Sequence, residues 1–333
     1  MSAPARREVS GRGDEKTGRG EKTGRGGGEK AGGGEKAGGG GGVRAVRRPS
    51  EWSLQASGGG GPFTSRATWR MPDGRTATWS SRAARKRGMV ELRAADGVRA
   101  AVAFAHPSTA TRLRRLNWVA AIAFTIGGSL FSIGAWVAQV GSGDALTAAS
   151  IYLLGGVFFS TGGYASLLQA INAPRSIDAS GSLRGEAWRW WSYEPMRIEW
   201  LATFVLFAGT LAFGVSLIDS FMEGLSAKQV NRLIWTPEMI GCVMFLVSGH
   251  LSMVEVCHGR PKLLPRRLDW WIVAVNQLGS ALFFVSAVAA FTSPQTGGVI
   301  NVDLANWGTF WGAACFAVGG VLQAFERPAA ASD

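Results

Sequence analysis

The sequence predicts an all-α polytopic membrane protein: six transmembrane helices, paired as three tandem helical hairpins, follow a disordered basic N-terminal region. Residues 1–115 hold 24 of the 35 Lys and Arg residues but only 10 of the 23 Asp and Glu residues. The rest of the chain is nearly neutral and rich in apolar residues. It contains six apolar runs, near 118–140, 148–171, 198–218, 239–257, 270–291 and 307–325. Each run is long enough to cross roughly 30 Å of hydrocarbon as a helix.

The basic region divides into two segments. Residues 1–61 repeat Glu-Lys between glycines and have almost nothing apolar to bury, which predicts a disordered tail. Residues 62–115 are predicted to form a basic cytoplasmic segment. In it, Ala-Thr-Trp occurs on both sides of Pro72-Asp73-Gly74, a turn sequence that favours a short β-hairpin.

The basic residues of this second segment have two interpretations. They are either a solvated stretch that keeps the chain on the cytoplasmic side, or a contact with anionic lipid headgroups, worth about 1 kcal/mol per residue near the surface. Arg82, Arg85, Lys86 and Arg87 precede Arg112, Arg114 and Arg115, which adjoin the first apolar run. A nucleic-acid partner is not expected, because no recognisable reading module accompanies the charge.

The predicted hairpins span residues 116–175, 198–258 and 268–327. Lys and Arg are concentrated before the first helix and in the loops 172–197 and 258–269, and they are scarce in the other loops. By the positive-inside rule, this asymmetry predicts a multi-pass protein of the cell membrane with both termini in the cytoplasm.

One spacing recurs once in each apolar run: glycine, then phenylalanine four residues later, then glycine or serine three residues after that. The six copies are Gly127/Phe131/Gly134, Gly155/Phe159/Gly162, Gly209/Phe213/Ser216, Gly241/Phe245/Ser248, Gly279/Phe283/Ser286 and Gly312/Phe316/Gly319. Phe131, Phe213 and Phe283 each follow a tryptophan by thirteen residues, so we interpret the pattern as an internal triplication.

Small residues seven positions apart lie on one helix face, where they allow another backbone to approach closely. We therefore interpret the motif as a helix-packing stripe. The neighbour could be another helix of the chain, a second copy of the protein or another membrane protein.

Hairpins with this stripe, seen in "GGSLFSIG", "GTLAFGVS" and "GSALFFVS", resemble the YrhK-like domain, a small two-helix bacterial membrane domain. The resemblance covers residues 117–326 as three units. It implies a membrane hairpin fold, but no assigned activity and no catalytic residues.

Polar residues occur in two places within the hairpins. His250, Asn276 and Gln277 lie inside apolar runs, and an interhelical hydrogen bond is the expected role of His250. A second set lies at the predicted cytoplasmic boundary: Asn117, Gln169, Glu199, Glu255, Asp269 and Glu326. These residues are either helix caps and ion-pair partners of Arg197, Arg260, Arg267 and Arg327, or a polar vestibule that attracts cations.

No hydrolase or transferase signature is present, so the sequence does not indicate an enzyme. The three cysteines and three histidines have no metal-ligand spacing, and neither a metal nor a cofactor is predicted. Two functional hypotheses remain. The first is a structural or interaction module of packed hairpins, favoured because deep polar groups are scarce. The second is a transporter of a small solute or ion.

Overall fold

The computed structural model describes residues 46–97, 100–141 and 145–326. Most of the predicted disordered tail, residues 1–45, lies outside the described residues. The prediction is wrong for residues 46–61, because strand β1, Ser53–Gly58, pairs with β2 and the neighbouring Trp52 is buried. The ring of Trp52 packs against Trp69 with a centroid separation of 6.4 Å, and this burial is what orders the segment.

A five-stranded antiparallel sheet precedes the long helices, so the prediction of an all-α fold is wrong. Its strands pair in chain order: β1 Ser53–Gly58, β2 Arg66–Arg70, β3 Thr76–Ser80, β4 Met89–Arg93 and β5 Ala100–Phe104. The expected hairpin corresponds to β2 and β3, which pair around the Pro72–Gly74 turn. The two Ala-Thr-Trp repeats place each tryptophan opposite the other repeat's alanine, and all four of these side chains are buried.

A short helix, α1, connects β3 to β4. It spans Ser81–Arg87 and ends at Gly88, whose φ of 62° lies in the left-handed region that favours glycine. Helix α1 contacts α2, α3 and α6 of the bundle described next. It therefore joins the sheet to one end of the bundle, which we call the sheet end.

Six long helices follow. They are α2 Pro107–Val140, α3 Ala145–Ile171, α4 Ile198–Asp219, α6 Thr236–Cys257, α7 Leu268–Ala289 and α8 Val302–Ala324. A short helix, α5 Ala227–Val230, leads into α6 through a π-helical turn, Asn231–Trp235. A two-stranded ribbon, β6 Ser176–Ile177 and β7 Leu183–Arg184, lies between α3 and α4. Helix α2 begins at Pro107, so residues 107–115 are helical and not part of a separate basic segment.

Five of the helices in the described residues are long and apolar enough to cross a membrane: α2, α3, α4, α5–α6 together, and α7. Helix α8 has a similar length, 23 residues, but Trp307, Thr309, Trp311 and Gln323 make it less apolar. The chain therefore has the character of a helical membrane protein.

The long helices contact one another in a closed order. Helix α2 packs against α3, α3 against α4, α4 against α6, α6 against α7, α7 against α8, and α8 against α2. A central axis therefore runs through the bundle from the sheet end to the opposite end, which we call the far end.

Candidate functional site on the axis of the helix ring

The phenylalanines of the six motif copies meet on the axis. Neighbouring rings among Phe131, Phe159, Phe213, Phe245, Phe283 and Phe316 have centroid separations of 5.2 to 6.4 Å. All six are buried. Aromatic pairs at these separations add about 0.5–1.5 kcal/mol each beyond the area they bury. We call this cluster the phenylalanine layer, and it divides the axis into two halves.

The first glycine of each motif copy receives the phenylalanine of the helix paired with it in the same hairpin. A Cβ atom on Gly127 would lie 2.7 Å from Phe159 Cδ2, and one on Gly155 would lie 2.7 Å from Phe131 Cδ2. A missing side chain on one helix thus makes room for the ring that reaches the axis from the other. The other two hairpins repeat this exchange at Gly209, Gly241, Gly279 and Gly312.

The third hairpin also shows the close backbone approach that the motif predicts. A Cβ on Gly279 would lie 2.8 Å from the carbonyl oxygen of Gly312, and one on Gly312 would lie 3.0 Å from that of Gly279. The two helices α7 and α8 therefore pack through their motif glycines.

The third motif position also contacts the paired helix of its own hairpin. The Ser248 hydroxyl donates to the carbonyl oxygen of Ala202 at 2.8 Å, and the Ser286 hydroxyl donates to that of Ala305 at 2.6 Å. A Cβ on Gly162 would lie 2.9 Å from the Phe124 ring. All three contacts lie inside the ring and not on its outer surface.

Gly134 faces a ring of the paired helix, as Gly162 does. The atoms nearest to a Cβ on Gly134 are ring carbons of Tyr152 in α3, at 3.0 Å. At these two glycines the space left by the missing side chain is therefore filled by a ring, where the sequence analysis expected another backbone. The ring of Tyr152 also packs against Phe131 with a centroid separation of 5.5 Å.

A second row of glycines, which the sequence analysis did not single out, packs between hairpins. A Cβ on Gly128 would lie 2.7 Å from Ala313 O, and one on Gly320 would lie 2.8 Å from Ala121 O, both between α2 and α8. Gly163 similarly faces Phe207 of α4. The doubled glycines in the sequence, such as Gly127-Gly128, were the available signal.

A cavity of about 500 Å³ lies on the far side of the phenylalanine layer. Phe131, Phe213 and Phe283 form part of its wall, and residues at the far ends of the helices, including Gly141 and Ala290, surround it. Its polar lining residues are Tyr152, Ser216, Ser220, Glu238, Ser286, Asn306 and Thr309. We call it the far cavity.

A smaller chamber, of about 90 Å³, lies on the other side of the layer. Phe245 and Phe316 form one boundary, and the side chains of Arg82, Arg85 and Lys86 from α1 form another. The serines at 166, 248, 252 and 280 make much of the remaining lining polar. Helix α1 thus covers the sheet end of the axis.

Two of the predicted boundary carboxylates bind α1. Glu255 is 0% exposed; it accepts a hydrogen bond from the Ser81 hydroxyl at 2.8 Å and pairs with Arg85 Nη2 at 3.0 Å. Glu326 pairs with Arg82 Nε at 2.6 Å and lies 4.0 Å from Lys86 Nζ. Among the described residues, their cationic partners therefore come from the basic segment and not from Arg260, which is exposed. Arg327, the other expected partner, lies outside the described residues.

Burial and charge act against each other at Glu326 and Lys86. Burial alone would raise the pKa of Glu326, but Arg82 and Lys86 outweigh it, and the pKa is lowered overall. Burial lowers the pKa of Lys86 to about 7, despite the opposing effect of Glu326. Lys86 also donates to Asn117 Oδ1 at 2.7 Å, and Asn117 exchanges hydrogen bonds with Gln323 of α8.

The other boundary residues have separate partners. Glu199 accepts from Arg197 Nε at 2.8 Å, and Asp269 accepts from Arg267 Nε at 3.0 Å, so both form the expected ion pairs but neither caps its helix. Gln169 is fully buried and donates to the carbonyl oxygen of Leu113 at 2.8 Å. The structure therefore distributes the six residues over several local contacts, and three of them, Asn117, Glu255 and Glu326, bind side chains of α1.

The polar residues inside the membrane runs divide into two kinds. Asn276 and Gln277 lie inside the ring. A Cβ on Gly319 would lie 2.0 Å from Asn276 Oδ1, and one on Gly249 would lie 1.8 Å from Gln277 Oε1. His250 is exposed on the outer face of α6, and no hydrogen bond links it to another helix in the described residues. The expected interhelical hydrogen bond is therefore wrong for His250.

Glu238 lies in the first turn of α6 and lines the far cavity. It has neither a hydrogen-bond partner nor an ion-pair partner among the residues that the structure describes. The sequence analysis missed it because the apolar run was taken to begin at residue 239. A carboxylate one residue before an apolar run, next to Pro237, was the signal.

No family model, no curated protein and no solved structure matches the chain. The resemblance to the YrhK-like domain therefore stays a prediction.

Proposed function

We propose that the protein translocates a small solute or ion along the axis of a six-helix transmembrane ring. The observation that carries this proposal is the pair of cavities, about 500 Å³ and about 90 Å³, on either side of the phenylalanine layer. A bundle that served only as packed hairpins would have no need of a cavity of that size, since protein interiors are close-packed and large voids are costly.

We further propose that α8 is the sixth span and that the sheet end is cytoplasmic. Helix α8 closes the ring between α7 and α2, and an even number of spans puts both ends of the bundle's chain on one side. Arg112, Arg114 and Arg115 are exposed near the sheet end, which fits the positive-inside rule. These three are also the residues that we propose contact anionic lipid headgroups, since Arg82, Arg85 and Lys86 are buried.

The axis is closed twice in this structure. The phenylalanine layer closes it in the middle, and α1 covers it at the sheet end. Translocation therefore requires both to move, and an isolated change at one of them has a smaller effect than changes at both.

A flux assay on proteoliposomes that contain the full chain tests the proposal. Potassium, chloride, glycerol and choline serve as probes in parallel. We expect Phe213→Ala combined with Arg82→Gln and Glu326→Gln to raise the flux of at least one probe well above that of the unchanged protein. Leu211→Ala is the matched control, because Leu211 lies on the same helix and is 51% exposed on its outer face.

The readout must be restricted to folded protein, because a Phe→Ala change in a core costs about 3–5 kcal/mol. Flux is therefore normalised to monodisperse protein recovered from the vesicles. If the combined variant is folded but passes no more of any probe than Leu211→Ala, the translocation proposal is wrong.

A structural or interaction module is the second candidate. The exposed His250 favours it, because a polar side chain on a lipid-facing surface calls for a partner. The small-residue contacts described above, however, lie within the ring, so they do not indicate a partner protein. Crosslinking through a cysteine at position 250 in membranes would detect one.

A further inference from the structure

The described residues that line the far cavity include one carboxylate and no cation. Glu238 is the only charged residue among the described residues that line it, and the lining contains no Lys, Arg or His. No hydrogen bond or ion pair engages its carboxylate within the described part of the chain. Glu238 is partly buried, and a carboxylate that has lost part of its hydration without gaining a partner is stabilised when a cation or a proton joins it.

Two of the hydroxyl groups that line the cavity donate to backbone carbonyl oxygens. Ser220 donates its proton to the carbonyl oxygen of Leu217 at 2.7 Å, and Ser286 donates its proton to that of Ala305 at 2.6 Å. Each of these two groups can then only accept a further hydrogen bond, and the Ser286 oxygen also lies 2.7 Å from the Thr309 hydroxyl. Acceptors together with a carboxylate favour a ligand that is positively charged.

The walls favour an organic cation over a bare metal ion. Phe131, Phe213, Phe283 and Tyr152 line the cavity, and aromatic rings attract an ammonium group placed near their faces. The volume, about 500 Å³, falls within the roughly 300–1,000 Å³ typical of small-molecule sites and far exceeds that of a dehydrated ion.

The position of Glu238 is fixed by the π-helical turn that precedes it. Trp235 Nε1 donates to the carbonyl oxygen of Ala287 at 2.7 Å, and Asn231 exchanges hydrogen bonds with the backbone of Thr292 at 2.7 and 3.0 Å. Because a π turn contains one extra residue, it shifts which of the following residues face the axis, and such turns are frequent at functional sites.

From this geometry we propose that the far cavity binds a small organic ammonium ion, with Glu238 as its counter-ion and the aromatic walls around its alkyl groups. The inference rests on the proposed function, because it names the substrate class of the same axial pathway. It assigns Glu238 to binding and leaves the phenylalanine layer as the barrier that the ligand meets.

Choline is a suitable probe, and 3,3-dimethylbutan-1-ol is its neutral isostere. Isothermal titration calorimetry on the full chain in detergent compares the two. We expect choline to bind at least about tenfold more tightly than the neutral alcohol, the usual scale for a charge-assisted contact. Glu238→Gln should remove that preference, while Glu238→Asp should retain part of it. Glu223→Gln, at an exposed carboxylate outside the cavity, should bind like the unchanged protein.

Three results would overturn the inference: equal binding of choline and the alcohol, unchanged choline binding in Glu238→Gln, or binding of sodium or calcium ions with no choline binding. If Glu238→Gln does not fold, the comparison of choline with the alcohol on the unchanged protein still decides. Binding is measured without flux, so choline binding in a protein that fails the flux assay would remove the proposed function alone.

Discussion

Neutralising Glu255 should destabilise the protein strongly. Glu255 is 0% exposed and Arg85 is 5% exposed, so Glu255→Gln leaves the guanidinium buried with no carboxylate. The hydrogen bond from Ser81 is weakened at the same time. Removing one partner of a buried ion pair costs about 3–5 kcal/mol, because the remaining charge stays desolvated. We expect a loss of that size in unfolding titrations with sodium dodecyl sulfate, followed by tryptophan fluorescence in mixed micelles.

A second variant distinguishes the loss of the ion pair from a general destabilisation of α6. Arg85→Met combined with Glu255→Met removes both charges and retains bulk, and replacing a buried pair by apolar residues is often neutral or stabilising. The double variant should therefore be more stable than Glu255→Gln alone. Glu223→Gln, at an exposed site, should change stability by less than about 0.5 kcal/mol. If Glu255→Gln changes stability as little as Glu223→Gln does, or raises it in cation-poor buffer, the cations of α1 do not stabilise the charge of Glu255.

Two further predictions concern packing and acid stability. Gly241→Ala should lower the free energy of unfolding by about 1–3 kcal/mol, since its methyl group would lie 2.2 Å from Phe213 Cδ2. Gly214→Ala, whose methyl group would have no atom within 4 Å, should be neutral or stabilising by up to about 1 kcal/mol. Equal effects of the two substitutions in the same titration would contradict the packing account. Burial beside Arg267 and Arg66 lowers the pKa of His258 from 6.5 to about 4. Between these two pH values the histidine binds a proton in the unfolded chain but not in the folded one. The free energy of unfolding should therefore fall as the pH falls from about 6.5 to about 4. His258→Asn, which tolerates the local φ of 53°, should flatten that slope in unfolding measured against pH, and an unchanged slope would refute the assignment.

The helices were the most predictable part of the molecule, because their signals are local. The apolar runs at 148–171 and 198–218 differ from α3 and α4 by only a few residues at their ends. The Gly and Phe spacing also indicated a packed stripe, since small residues seven apart must share a helix face. Spacing alone did not show that Tyr152 fills the gap at Gly134, because the facing residue belongs to another helix. Nor did it give the meeting of six phenylalanines on one axis, which depends on ring closure between α8 and α2.

The ion pairs under α1 were not predictable from the neighbourhood of the carboxylates. Glu255 lies 170 positions after Arg85, and Glu326 lies 244 positions after Arg82. Arginines closer in the chain were therefore preferred, which was right for Arg197 and Arg267. Strand β1 was missed for a similar reason. The glycine-rich sequence around it has low strand propensity, and the strand is ordered by pairing with β2 and by the burial of Trp52.

The docking of α1 gives a physical reason for the unequal hairpins. Three equivalent positions, Gln169, Glu255 and Glu326, end the second helix of each hairpin, but a single short helix has no threefold symmetry and cannot present cations to all three. Helix α1 supplies Arg85 to Glu255 and Arg82 to Glu326, while Gln169 is fully buried and donates to the Leu113 carbonyl oxygen. A carboxylate at position 169 would face that oxygen with no proton to donate and would be buried without a counter-ion, a loss of several kcal/mol. The amide at position 169 thus matches the one of these three positions to which α1 presents no cation, while Lys86 of α1 donates to the neutral Asn117 of the same hairpin. Because α1 leads directly out of strand β3, the two ion pairs at Glu255 and Glu326 favour this orientation of the sheet on the bundle.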